Sequence, residues 1–222
     1  MQRLSTTVLV LLGAEPQHVS ALGRATNVRA FAAARPAPAL ERAVRAWSAA
    51  LETRSTYFVH DADPLAAVAE AWSARFDASG TIGDLEIAVA STLQHWRSGA
   101  LEMPDYYLIC GADEWAPTLR HFYLGFLSAQ APSRVQITEP GAINDTIGAL
   151  RASRWWPDLG ALLNGIDLVV PDQAGLVAGR HGDARAEDNE LLRMPARDVR
   201  DLSEPATITP SEQKAPPDSR ST

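Results

Sequence analysis

Closely spaced carboxylates are the side chains of this chain best suited to chemistry. His60, Asp61 and Asp63 stand together in the run YFVHDADP. A D-x-D pair offers two oxygen donors to a hard cation such as Mg²⁺. Gly13 and Glu15 follow the apolar run TTVLVLL, and Gly111, Asp113 and Glu114 follow DYYLIC. Glu139 follows RVQIT, and Asp172 follows IDLVVP. If these runs are strands of one parallel sheet, their acids meet at its carboxyl edge, where open α/β sheets bind ligands. Asp61, Asp63 and Asp113 are then the candidate metal ligands, with Mg²⁺ the implied ion. Gly13, Glu15, His60, Asp61, Asp63, Gly111 and Asp113 form the wider candidate ligand-binding set. The chemistry open to such a set is metal-assisted hydrolysis of a phosphoester or nucleotide.

Some of these acids also suit a simpler role. Glu15 precedes Pro16 and Asp63 precedes Pro64, and an acidic residue before a proline marks a helix start. Asp113 is placed to cap a helix around Trp115, whereas Asp61 is left without a capping role. Over 16 residues, YFVHDADPLAAVAEAW resembles the D-x-D strand-to-helix turn of Toprim domains, found in primases and topoisomerases. That resemblance implies metal-dependent phosphoryl transfer. Toprim domains also close their first strand with a glutamate followed by glycine. Here Leu12 precedes Gly13 and Glu15 comes later, so the chain is not assigned to the family. Cys110 ends an apolar run before Gly111. As a nucleophile it needs a base in contact, His60 or His121, and otherwise it is a small buried hydrophobe. Neither G-x-G-x-x-G nor G-K-[ST] occurs, which argues against a dinucleotide or P-loop cradle.

The elements that must position these residues alternate along the chain. Residues 6–12, 27–31, 55–60, 105–110, 134–138 and 166–171 are apolar, β-branched runs, the pattern of strands buried on both faces. Between them lie helical stripes: Leu40, Val44, Trp47 and Leu51; Leu65, Val68, Trp72 and Phe76; Ile82, Leu85, Val89, Leu93 and Trp96; and Trp115, Leu119, Phe122 and Phe126. Thr81 with Asp84 suggests a capping box. The expected fold is an α/β, Rossmann-like three-layer sandwich with a mainly parallel sheet. Two helices between residues 60 and 105 make one crossover long. Trp47, Trp72, Trp96 and Trp115 are read as helix-to-sheet packing. Trp155 and Trp156 precede Pro157 and cannot both face one core from a helix, so one is expected to be buried and the other to cover a loop or, alternatively, to form an interface or a lid over the strand-end cleft.

Composition narrows the function classes. The 222 residues include 46% hydrophobic and 21% charged, which suits one domain with a tail. The domain is placed at 1–178. The segment 179–222 lacks aromatics, mixes both charges with proline and serine, and reads as a disordered polar tail. The net charge of −7 and the lack of a basic stripe argue against nucleic acid as a default partner. No run approaches the roughly 20 apolar residues of a membrane span, and Val8–Leu12 is too short for a signal peptide. A cytoplasmic location is expected. One cysteine excludes an intrachain disulfide. Lys214 is the only lysine among 20 basic residues, which suits a GC-rich bacterial genome. Without a strong catalytic motif, the expected function is a regulatory module that recognises a small ligand or a protein, with homo-oligomerisation open. The alternative is the hydrolase described above.

Overall fold

The structure, a computed structural model, describes residues 5–33, 36–151 and 155–171. The tail expected at 179–222 and Asp172 lie outside the described residues. In chain order the main elements are β1 (Thr7–Leu12), α1 (Pro16–Leu22), β2 (Val28–Phe31), α2 (Ala39–Glu52), β3 (Tyr57–His60), α3 (Ala66–Phe76), α4 (Ile82–Arg97) and β4 (Tyr106–Ile109). There follow α5 (Pro117–Arg120), a π-helix (His121–Leu127), α6 (Ser128–Gln130), β5 (Val135–Ile137), α7 (Ile143–Ala149) and α8 (Leu159–Leu163). The strands form one parallel sheet in the order β2-β3-β1-β4-β5, the α/β architecture that the alternation predicts.

The two-residue period of the strands sorts the core into two layers. Val10, Tyr107 and Ile109 face Val68, Trp72, Leu85, Phe122 and Leu162. Leu9, Leu11, Val59 and Leu108 face the other way, against Val19 and Leu22 of α1 and Ile143 and Ile147 of α7. Helix α2 lies on the first face, where Ala50 packs on Val8 and Phe58. The connection from β1 to β2 runs in the opposite direction across the sheet from the later ones, and its helix covers the opposite face. All the crossovers therefore share one hand, as the crossover rule requires. Between β3 and β4 the long crossover carries α3 and α4. The Thr81 side chain accepts from the Asp84 N–H, and the Asp84 carboxylate accepts from the Thr81 N–H, which completes the capping box.

Residues 166–171 are not a strand. A short 3-10 turn spans Ile166–Leu168 after Gly165, whose φ is +73°. Arg75 Nη1 donates to the Asp167 carbonyl at 2.7 Å, and Trp72 Nε1 donates to the Val169 carbonyl at 3.2 Å. The carbonyls that a ladder would need are held by α3, and Leu168 and Val170 face outward. The fourth helical stripe also differs from its expected form. Trp115 precedes the helix, and the segment widens into a seven-residue π-helix that buries Phe122, Tyr123, Phe126 and Leu127. A Cβ at Gly125 would lie 2.7 Å from the His121 ring, so the glycine makes room for that imidazole.

At the amino edge of the sheet, Trp156 is buried and donates from Nε1 to the Pro104 carbonyl at 2.6 Å. It is therefore a core residue and not an interface contact. Trp155 is 36% exposed and covers the buried Arg134 guanidinium at 4.3 Å. Among the described residues no helix is long and apolar enough to cross a membrane.

Candidate functional site

The carboxyl edge of the sheet is where the sequence places its acids, and Asp63 is the most deeply set of them. It lies in the turn between β3 and α3 and is 4% exposed. Its Oδ1 accepts the Leu65 N–H and the Tyr107 hydroxyl, each at 2.8 Å. Its Oδ2 accepts the Tyr123 hydroxyl, which the π-helix carries. Trp115 meets the Tyr123 ring edge-on at 5.6 Å, and Trp156 meets Tyr107 at 5.8 Å. Burial pushes the Asp63 carboxyl above its ordinary range, against three donors that favour its ionised form. Burial, with the Asp63 charge, pushes both phenols well above theirs, so they stay protonated donors. Asp63 is thus a satisfied polar node inside the core and not a ligand open to a cation.

The other acids go to separate partners. Asp61 Oδ1 accepts the Ala33 N–H at 2.7 Å and ties the end of β3 to the loop after β2. Asp113 is fully exposed and faces Arg120, 3.6 Å away. It does not cap the helix, which starts at Pro117. Glu15 stands at the N-cap of α1 without a side-chain cap and accepts from Gln17. Among the described residues no three His, Cys, Asp or Glu side chains are grouped to hold a metal. Asp61, Asp63 and Asp113 are not brought together as one set: Ala33 holds the first, Leu65, Tyr107 and Tyr123 the second, and Arg120 faces the third.

His60 and Cys110 are core residues. The His60 Nδ1 accepts the Ala62 N–H at 3.3 Å, and burial lowers the imidazole pKa to about 4, so the ring is neutral near pH 7. Cys110 is 1% exposed, and burial, with Glu139 nearby, raises its thiol. A buried thiol with a raised pKa is a poor nucleophile, which removes the cysteine reading. Gly13 does not cradle a phosphate. Its φ is +75°, and a Cβ there would lie 1.9 Å from the Cys110 carbonyl oxygen and 3.1 Å from the Trp115 ring. Gly13 thus packs directly against the end of β4 and the Trp115 ring. Gly111, with φ +60°, faces open space and turns the chain out of β4.

At this edge, one crossover away, a cleft of about 610 Å³ is lined by Pro36, Ala37, Pro38, Arg42 and Glu70. The first four belong to the loop and first turn of α2, and Glu70 reaches it from α3. Arg42 Nε is shut from water without a hydrogen-bond acceptor among the described residues. The sequence reading missed three residues here. Tyr107 and Tyr123 were detectable only as buried tyrosines that need an acceptor. Arg42 was hidden as one of many arginines on helix faces. Comparison with known protein families, with curated proteins and with solved structures finds no match.

Proposed function

We propose that this chain is a small-ligand recognition module that binds in the cleft between the start of α2 and α3. The observation that carries the proposal is the contrast between two neighbouring places. The strand-end groups suited to catalysis are held by structural partners: Asp63 by two phenols and an amide, Asp61 by Ala33, and His60 by Ala62. The adjoining cleft is open and is lined by a cation and a carboxylate, Arg42 and Glu70, that form no ion pair with each other among the described residues. Its volume falls within the roughly 300–1,000 Å³ of small-molecule sites. The fold alone would not select a function, because α/β sandwiches host many.

A thermal-shift screen of the full chain tests this, since a ligand that binds only the native state raises its apparent stability. Nucleotides, sugars, amino acids, inorganic phosphate and divalent metals are the probe classes. At least one organic class is expected to stabilise the wild type and to lose its effect in Arg42→Gln. A response to divalent metals alone, abolished by Asp61→Asn, would instead return the hydrolase.

A further inference from the structure

Asn164–Gly165 is the one asparagine–glycine pair in the chain. Glycine has no Cβ, so its amide nitrogen is open to approach by the carbonyl carbon of the preceding side chain. The structure exposes this pair on three counts. Asn164 lies at the surface just past α8, with φ −68° and ψ 120°. Its carboxamide has no hydrogen-bond partner among the described residues. The Gly165 N–H donates to no backbone carbonyl among them, and a Cβ there would meet nothing nearer than Leu168 Cδ1 at 3.9 Å. The other asparagines of the described residues are placed differently. Asn27 precedes β-branched Val28, whose N–H donates to the Ala25 carbonyl at 3.4 Å. Asn144 lies inside α7 and precedes Asp145.

We propose that Asn164 is a self-modification site, at which the Gly165 amide nitrogen attacks the Asn164 side-chain carbonyl and expels ammonia. A bond forms between the Gly165 nitrogen and Asn164 Cγ. The Cγ–Nδ2 bond breaks, and the Gly165 proton passes through solvent base to the departing ammonia. Water then opens the cyclic imide. Opening at Cγ leaves aspartate at position 164, and opening at the backbone carbonyl leaves isoaspartate, with the chain running through Cβ. At the observed ψ the Gly165 nitrogen is turned away from Cβ, so ring closure waits on rotation about one backbone bond. That bond lies at a fraying helix end and before a left-handed glycine, φ +73°, where local opening is least costly. The product adds a negative charge close to Asp167. As isoaspartate it also adds a backbone carbon between α8 and the segment that Arg75 and Trp72 hold by the Asp167 and Val169 carbonyls.

In the test, the full chain is held folded at mildly alkaline pH, sampled over days, digested at acidic pH and read by mass spectrometry. The peptide containing Asn164 is expected to gain the mass that separates a carboxyl from a carboxamide. Electron-transfer fragmentation should find both aspartate and isoaspartate there, and ion exchange should show a more acidic species growing in step. The rate should rise with pH, because the attacking amide must lose its proton. Peptides carrying Asn27 or Asn144 should stay unchanged. Asn164→Gln should abolish the mass gain at this position, because its longer side chain would have to close a larger ring. The synthetic peptide ALLNGIDL gives the rate without the fold. Asn164 intact in the folded chain while that peptide converts would overturn the proposal. So would earlier conversion at Asn27 or Asn144, or an acidic species that grows as fast in Asn164→Gln.

Discussion

The Tyr107 hydroxyl donates to Oδ1 of Asp63 at 2.8 Å, joining β4 to the turn after β3 through a carboxylate inside the core. Tyr123 reaches the other oxygen from the π-helix, so three segments meet on one carboxyl group. Each hydroxyl removed leaves a buried carboxyl oxygen less satisfied, so Tyr107→Phe and Tyr123→Phe should each cost about 1–3 kcal/mol. The two effects should be non-additive, because both donors serve one group. Asp63→Ala strands two buried phenols and should cost more than either. Urea unfolding of the single and double variants measures this, and a Tyr107→Phe change within about 0.5 kcal/mol would show that the node adds nothing.

His60 links stability to acid. Its folded-state pKa of about 4 lies below the ordinary 6.5, so as pH falls the unfolded chain takes the proton first. The stability it contributes is present above pH 6.5 and is lost as pH falls toward 4, by about 3 kcal/mol in total. Asp63 acts with the opposite sign. Its folded carboxyl is raised, so its contribution is present at low pH and lost as pH rises through the folded value. His60→Asn keeps an acceptor for the Ala62 N–H and cannot titrate. Denaturation of both proteins across this range should show the variant losing less stability than the wild type. Parallel curves would mean that His60 does not titrate as its burial requires.

How far the sequence spoke for the fold depended on distance along the chain. The strands were legible because their apolarity comes from burial on both faces, as Leu9 and Val10 illustrate by packing into opposite layers. IDLVVP looked alike, but apolarity does not say whether carbonyls pair with a strand or, as here, with Arg75 and Trp72. The convergence of acids on the carboxyl edge was legible, but their partners were not. Tyr107 and Tyr123 stand 44 and 60 residues from Asp63. The π-helix that aims Tyr123 has no mark in a 3.6-residue pattern. Arg42 differs from its neighbours only through a tertiary enclosure that no local spacing encodes.

Gly13 and Gly111 share a left-handed backbone and differ in surroundings, which separates two costs. At Gly13 a Cβ would lie 1.9 Å from the Cys110 carbonyl oxygen, a backbone atom held by the pairing of β1 with β4. At Gly111 nothing lies within 4 Å. Gly111→Ala should cost only the conformational penalty, about 1–2 kcal/mol. Gly13→Ala must also part the two central strands and should cost about 4 kcal/mol or more, enough to leave a marginal domain unfolded. Thermal melts of the two variants give the comparison, and equal losses would mean that β1 and β4 yield at this point.

Trp155 and Trp156 are adjacent and have opposite fates. Trp156 is 4% exposed, hydrogen-bonded to Pro104 and packed edge-on against Tyr107. Trp156→Ala should cost about 3–5 kcal/mol through the cavity it leaves. Trp155 covers the guanidinium of Arg134, which also meets the Tyr106 ring at 5.1 Å, donates to the Asp105 carbonyl at 2.7 Å and pairs with the Asp105 carboxylate at 3.7 Å. Trp155→Ala forfeits a cation–π contact and opens the guanidinium to water, a loss of about 1–2 kcal/mol. Trp155→Phe should restore part of it, because a smaller ring still presents a π-face. Because the Trp155 ring is engaged within the chain, Trp155→Ala should leave the sedimentation coefficient unchanged. A shift to smaller species on that substitution would assign its exposed edge to contact between copies and revive the interface expected from the sequence.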